Sequence, residues 1–447
     1  MAEGGRLTSM SMRNGSGDAM SSAAEPKDRQ ARLLSTEEVA QVAGLFQIEP
    51  IIGAEEYREK GNINFHTYSI HCTQGHEYLL QSINSEVSKK PLRVMDAMTE
   101  WIKAQNLSLA RSRPPAAERW EPVSLVPSRD NQAYSIFQRG ESSMVWRLMH
   151  LISDVASYKS LSQVRNGKGL ETAEEMGRGL ALTSDFANEM SVEGLATSLP
   201  GYRDAVGYYR QFHSVLAGRQ SLEEVRGLPE DPEVLESTQH LYTLAIDPEE
   251  ARQRREDPEI APYIELALAH EEKALCLQKG IQSGELRKVA IHGDTKIENF
   301  LFCAKTGRVR SLVDLDTIMP YTWLADWGDM VRSLINVAGE KERDTEKIQV
   351  NKEVYEAVSR GFLGTVQGAT AAELELMVPA VQAITLELGV RFLTDYLRGD
   401  NYFALSPPLD APDLNKVRGI CQLTLFKRLL ESADWAHAMM KGQPEMI

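Results

Sequence analysis

Cysteine is scarce in this chain. The four residues, Cys72, Cys276, Cys303 and Cys421, lie far apart, with no CxxC pair and no Cys/His metal spacing. A disulfide scaffold and a zinc ribbon are thereby excluded, and free thiols in a reducing compartment are expected. Long apolar runs are missing too. No stretch of about 18 uncharged apolar residues exists, so no membrane-spanning helix is expected. Basic charge is also short, with 49 Lys and Arg against 64 Asp and Glu and a formal net charge of −15. Such a surface repels nucleic acid and anionic membranes, and neither is expected as a partner. A small nucleotide is not excluded, because a phosphate pocket needs only a few local donors. The first thirty residues lack the apolar core of a secretory signal. Arg6 and Arg13 with few acids leave an organelle-targeting reading open, but a disordered tail over 1–33 and a cytoplasmic location are expected. No internal repeat or heptad is present.

What remains is enough apolar material, 42% of residues, for one large two-lobed domain. Ser35 and Glu38 form a capping box with Leu34 stapled onto Val39, opening a short helix through about Phe46. Strands are expected at 55–59, 65–72 and 77–83, with Gly61 and Gly75 as turn residues. Pro91 opens a helix with Val94, Met95, Met98 and Trp101 on one face. A loop at 111–115 and strands at 122–126, 134–139 and 144–151 complete a sheet-rich lobe over 34–150. Beyond Ser153 the pattern becomes helical. Thr172 and Glu175 read as a second capping box, and long helices are expected over 202–216, 260–280, 370–397 and 414–440, with a solvated helix or loop at 247–259. Only 288–316 interrupts this lobe, which spans 151–447, with strand-like runs.

That interruption holds the polar residues of interest. In V-A-I-H-G-D-T-K-I-E-N-F-L-F (289–302), followed by S-L-V-D-L-D-T (311–317), apolar strands pin a polar loop between them. Phosphoryl transfer asks mainly for positioning and charge neutralisation. It needs a carboxylate near the attacking hydroxyl, a role suited to Asp294. It also needs hard oxygen ligands for Mg2+, suited to Asn299 and Asp314. Lys296 is placed to stabilise charge on the transferring phosphoryl group. His292 is read as an organiser of the loop.

The segment resembles the catalytic loop of the aminoglycoside phosphotransferase and choline kinase superfamily, H-x-D-x-x-x-x-N followed by a metal-binding Asp on the next hairpin. It is most similar to the N-acetylhexosamine kinase branch. H-G-D-T-K-I-E-N-F-L-F, V-D-L-D-T-I-M-P-Y-T-W-L-A-D-W-G-D-M-V-R and, upstream, G-N-I-N-F-H-T-Y-S-I with Y-L-L-Q-S-I-N carry the likeness, which spans roughly 51–334. It implies an α+β, bilobal, protein-kinase-like fold, with a small antiparallel sheet in the N-lobe and a mostly helical C-lobe. It also implies ATP and Mg2+ as cofactors, with Asp294 as catalytic base beside Lys296 and His292, and Asn299 and Asp314 as metal ligands. Asp316 either assists the metal or serves a structural hydrogen bond. Asp326, Asp329 and Arg332 are expected to brace the site from a helix.

At the nucleotide end, Gly61, Asn62, Asn64 and Thr67 occupy the turn over the phosphates. Met149 and Leu151 fall on the connector beside the base. Trp146 is as much a core residue as a ligand contact. The third-strand position that holds a lysine in protein kinases is Gln81, with no charge; Lys89, Lys90 or Arg93 are the substitutes at hand, and Asp96 the candidate partner of a cation there. The resemblance implies a small-molecule kinase with a sugar or amino-sugar acceptor. Aminoglycosides and choline-like amines are alternatives, and a catalytically inactive binding module is the rival class. D-F-G and A-P-E are absent, which argues against a protein kinase.

Overall fold

The computed structural model describes residues 33–57, 64, 66–85, 88–112, 120–165, 167–406 and 408–442. The tail expected over 1–33, but for Leu33, and the turn residues Gly61 and Asn62 lie outside them.

The chain enters through helix α1 (Thr36–Ala43), capped by Ser35: the Glu38 N–H donates to Ser35 Oγ at 3.2 Å, and the Glu38 carboxylate accepts from the Ser35 N–H at 2.8 Å. Gly44 ends this helix, three residues before the expected stop. Strands β1 (Ile51–Glu56), β2 (Thr67–Cys72), β3 (Glu77–Ser82), β4 (Ser135–Arg139) and β5 (Ser142–His150) form one antiparallel sheet in the order β1-β2-β3-β5-β4. Alternation along the strands gives each face its own core. Tyr68, Ile70, Tyr78, Leu80, Trp146 and Leu148 pack with Val39, Val42 and Phe46 near α1. On the other face Leu79, Val145 and Met149 meet Val94, Met95, Met98 and Trp101 of helix α2 (Pro91–Ser112).

Several expected boundaries move. The first strand starts at Ile51 rather than Glu55. Arg111 and Ser112, expected in a loop, close α2. No strand forms at 122–126: Leu125 makes a single bridge to Met149, while Trp120 is buried in the core of the helical part.

The sheet is followed by β6 (Val155–Ala156) and helices α3 (Gly169–Ala187) and α4 (Ala205–Leu216). Thr172 and Glu175 are not a cap. They are buried inside α3, and Glu175 accepts the Val309 N–H at 2.8 Å and pairs with Arg308, so its carboxylate ties the helix to a strand. Pro248–Arg255 is helical, with the run of charges exposed apart from Ala251 and the flanking half-buried arginines. The stretch expected as one helix over 260–280 breaks into Ala261–Ala269, Glu271–Ala274 and Cys276–Ser283, because His270 leaves helical geometry between the first two.

Strands β7 (Val289–Ile291), β8 (Phe300–Cys303), β9 (Val309–Leu312) and β10 (Met319–Tyr321) follow. β7 pairs with β10, and β8 pairs with both β6 and β9, all antiparallel. Helices α5 (Trp323–Ile335), α6 (Lys352–Leu363), α7 (Met377–Arg398) and α8 (Leu414–Glu431) complete the helical part, with Ala433–Lys441 after a break at Ser432. Helix α6 was not expected; Asn351 caps it through the Val354 N–H at 3.0 Å. It crosses α3 backbone against backbone. A Cβ on Gly177 would lie 2.0 Å from Val358 O, and one on Gly361 would lie 1.9 Å from Glu174 O, so both helices need glycine where they touch. α7 is long and apolar enough to cross a membrane by length and composition alone. Here 83% of its most apolar window is buried within the protein.

Candidate active site

The polar loop 292–299 leaves β7 and enters β8 through a 3₁₀ turn at Ile297–Asn299. Its shape is set by groups behind it. Asp326, in the first turn of α5, accepts the His292 and Gly293 N–H groups at 2.7 and 2.8 Å, and its own carbonyl accepts from Thr295 Oγ1 at 2.6 Å. Burial pushes the Asp326 carboxyl up, and the two N–H donors and nearby His292 work against that shift. Gly293 has φ +86°, and a Cβ there would meet Thr317 O at 2.6 Å. Its carbonyl accepts from Tyr202 Oη at 2.8 Å and from the Arg203 guanidinium at 3.1 Å.

His292 is fully buried. Its Nε2 lies 2.9 Å from Val313 O, which can only accept, so Nε2 carries the hydrogen and Nδ1 is free to accept the Asp294 N–H at 3.3 Å. Both ring nitrogens are thus occupied in holding the loop and the β9 exit.

Asp294 stands at the front of the loop with its side chain a quarter exposed. Oδ2 accepts from Lys296 Nζ at 2.8 Å and from Asn299 Nδ2 at 3.1 Å; Oδ1 takes no donor among the described residues. Asn299 Nδ2 also donates to Asp294 O at 2.7 Å. Both of these partners can only accept, so the amide nitrogen faces Asp294 and the amide oxygen is left for another ligand. Burial works against the Lys296 ammonium, but Asp294, and after it Asp314 and Glu298, outweigh that and hold its pKa above the ordinary value.

Asp314 follows β9 in left-handed backbone, φ +63° and ψ +61°, a conformation that costs a non-glycine residue about 1 kcal/mol or more and is concentrated at functional sites. Strand β9 therefore stops at Leu312, two residues before Asp314. Asp314 is crowded by protein but keeps a solvent-facing side. Desolvation first, and then the neighbouring carboxylates Asp316 and Asp294, push its carboxyl up to about 7. It has no hydrogen bond or ion pair of its own among the described residues. The Asp314 carboxylate, short of counter-charge, and the Asn299 amide oxygen suit a hard divalent cation that keeps waters and phosphate oxygens in its shell. Among the described residues no group of three or more His, Cys, Asp and Glu side chains gathers as an all-protein metal cage.

Asp316 is engaged differently. Oδ1 lies 2.5 Å from Arg147 Nη1, and Oδ2 accepts from Asn64 Nδ2 at 2.5 Å. Thr67 Oγ1 donates to Asn64 O at 2.5 Å and accepts from Gln81 Nε2 at 3.1 Å, and Gln81 Oε1 in turn accepts from Arg147 Nε at 3.0 Å. Asn64, Thr67 and Gln81, expected at the nucleotide end, therefore join the metal-side hairpin in one closed polar ring.

Two of the other expected cations are engaged elsewhere. Lys90 and Arg93 pair with Glu233, and Asp96 is exposed and has no ion pair among the described residues. Met149 is buried within the sheet. The N–H groups of His150 and Leu151 already donate to Ser124 O and Glu77 O, which leaves neither to a purine edge.

Asp329 and Arg332 pair at 2.6 Å, buried behind the loop. Burial alone would raise Asp329, yet Arg332 and then Arg203 hold it below the usual carboxylate range. Arg203 was not foreseen. It is buried and joins Gly293 O, Asp329 at 3.5 Å and Glu387 of α7 at 3.2 Å. No motif marks it, because its partners lie between 90 and 184 positions away. A surface concavity of about 620 Å³ between α2 and the segment 124–133 contains none of these residues.

Residues 192–359 match the model of a family described as the Phosphotransferase enzyme family (APH), a stretch that holds the polar loop, the β8–β9 hairpin and α5. Among solved structures, an amicoumacin kinase in complex with AMP-PNP and Ca2+ is similar over 89% of this chain and 96% of its own, at 13% identity and a TM-score of 0.50. An aminoglycoside phosphotransferase from Alicyclobacillus acidocaldarius is similar over 88% and 96%, at 13% identity and a TM-score of 0.49. A microcompartment-associated aminopropanol kinase is similar over 89% and 98%, at 12% identity and a TM-score of 0.49. The first of these supports the fold: an α+β kinase-like arrangement with an antiparallel sheet in the N-terminal part and a helical C-terminal part.

Proposed function

We propose that this protein is an ATP- and Mg2+-dependent small-molecule kinase, and that its acceptor is a hydroxyl of a sugar or amino-sugar. The observation that carries the reading is the meeting of Asp294, Lys296 and Asn299 with Asp314, from two neighbouring loops, with Asp294 Oδ1 and the Asn299 amide oxygen both free of donors among the described residues. The acceptor class rests on the sequence motifs shared with the hexosamine kinase branch. The family match over 192–359 and the fold of the amicoumacin kinase agree with the reading at the coarser level of a phosphotransferase.

In this mechanism the acceptor oxygen attacks the γ-phosphorus. The new O–P bond forms as the bond to the bridging oxygen of ADP breaks, and the hydroxyl proton passes to Asp294 Oδ1. Asn299 and Asp314 would hold the metal, which would neutralise phosphate charge when bound. Lys296 supports the developing charge on the transferring group, and Asp326 and His292 keep the loop in place. The rival reading of an inactive module drew on the neutral Gln81, and the buried Arg147 beside Gln81 removes much of its motive.

The test is ADP release with a panel of sugars, amino-sugars, aminoglycosides and amino alcohols. Turnover should appear with a sugar or amino-sugar and fall by about two to four orders of magnitude in Asp294→Asn. Undiminished turnover in that variant would reject Asp294 as the base. Turnover confined to amino alcohols or aminoglycosides would reject the acceptor class.

A further inference from the structure

Kinases of this general plan hold the nucleotide phosphates with a lysine on the third strand, fixed by an acidic partner on the following helix. Neither half of that pair is present here. Gln81 occupies the strand position, and Asp96 on α2 is exposed, with no ion pair among the described residues. The sheet register supplies another cation. Thr67, Gln81 and Arg147 stand opposite one another on β2, β3 and β5, so their side chains share the face turned toward α2.

Arg147 is 2% exposed, a costly place for a guanidinium unless it is fully partnered. It is partnered on every side. Nε and Nη2 donate to Gln81 Oε1, and Nη1 lies against Met98 Sδ at 3.4 Å and Asp316 Oδ1 at 2.5 Å. Asp316 belongs to the hairpin that carries Asp314 two residues earlier. Its other oxygen holds Asn64, at the turn leading into β2.

Resting on the kinase reading above, we propose that Arg147 replaces the third-strand lysine from one strand further along the sheet, and that its pair with Asp316 locks the nucleotide-side turn onto the metal-side hairpin. Arg147 is thus a positioning residue. The pair fixes Asn64 and Asp314 relative to one another, so nucleotide and metal meet a preformed site. Gln81 is the spacer that orients the guanidinium, which explains a neutral residue in the lysine's place.

The experiment measures binding on the full chain: MgADP affinity by calorimetry, and the Mg2+ concentration that half-saturates nucleotide-dependent thermal stabilisation. Arg147→Met should weaken MgADP and raise the Mg2+ requirement by about ten- to a hundredfold, the range seen when groups that orient metal ligands are removed. Gln81→Lys in that background returns a cation to the third strand, within reach of Asp316, and should recover most of the loss. Asp316→Asn removes the other half of the pair without emptying a buried strand position, and should show the same loss if Arg147→Met does not fold. Wild-type affinity in Asp316→Asn, or in a folded Arg147→Met, would overturn the inference and leave the kinase reading standing. A recovery absent from the Gln81→Lys double variant would also overturn it. A wild-type chain with no Mg2+-dependent ADP binding would remove the kinase reading itself, and the inference with it.

Discussion

Replacing Arg203 by Met tests how the catalytic loop is held from behind. The side chain is 3% exposed and joins three elements: Glu387 on α7 at 3.2 Å, Asp329 on α5 at 3.5 Å, and the Gly293 carbonyl at 3.1 Å. Met fills a similar volume without charge. Asp329 keeps Arg332 at 2.6 Å, so its charge stays compensated. Glu387, also 3% exposed, loses its ion pair and becomes the strained group. Breaking one half of such a buried pair costs about 3–5 kcal/mol. For a chain of this size each kcal/mol lowers the melting temperature by about 1 °C, so a fall of roughly 3–5 °C is expected. The same substitution frees one support of Gly293, and turnover should fall as Asp294 loses its fixed position. Thermal unfolding by circular dichroism, with Glu387→Leu and the double variant completing a cycle, separates the pair from simple packing. The double variant should regain most of the lost stability, because an apolar pair tolerates burial where a lone carboxylate does not. A melting temperature within a degree or two of wild type in Arg203→Met, or a double variant as unstable as the sum of the two single changes, would refute the reasoning.

Gly361→Ala should lower stability by about 1–3 kcal/mol in denaturant unfolding, despite alanine's better helix propensity, because its methyl would sit 1.9 Å from Glu174 O and force α3 and α6 apart. Cys303 should be the first thiol alkylated by iodoacetamide. Hydrogen bonds from the Thr306 side chain and from the Thr306 and Lys305 backbone lower it to about 7, so its labelling rate should rise through neutral pH and level off about a unit above, while burial pushes Cys276 up to about 11 and Cys421 up to about 12. Peptide mapping reads the order, and earlier labelling of Cys421 would contradict the burial given to it here. Asp294→Asn should retain MgADP binding while losing turnover, since the proposed mechanism assigns Asp294 to the acceptor proton and the metal to Asn299 and Asp314; loss of both together would reassign it.

Much of the polar loop was legible because its spacing is local. His292, Asp294, Lys296 and Asn299 lie within eight residues, flanked by apolar strands, and the structure gathers them. Asp326 and Asp329 also stand behind the loop as expected. The misreadings came where a local signal met a tertiary competitor. Thr172 and Glu175 have capping-box spacing, but Arg308 and the Val309 N–H claim the glutamate from a strand more than 130 positions away. The segment 122–126 has strand composition, but only Leu125 finds a pairing partner, at the end of β5.

Chain order alone determined the alternation of the sheet, the capped start at Ser35, the helix after Pro91 and the chemistry of the polar loop. Each of these depends on residues a few positions apart, where period and turn geometry act directly. Only the tertiary structure decided that Arg147 meets Asp316 across 169 positions, that Arg203 ties Gly293 to two helices, and that Gly177 and Gly361 let α3 and α6 touch. Strand register and helix crossing bring those groups together, and neither leaves a periodic trace in the chain.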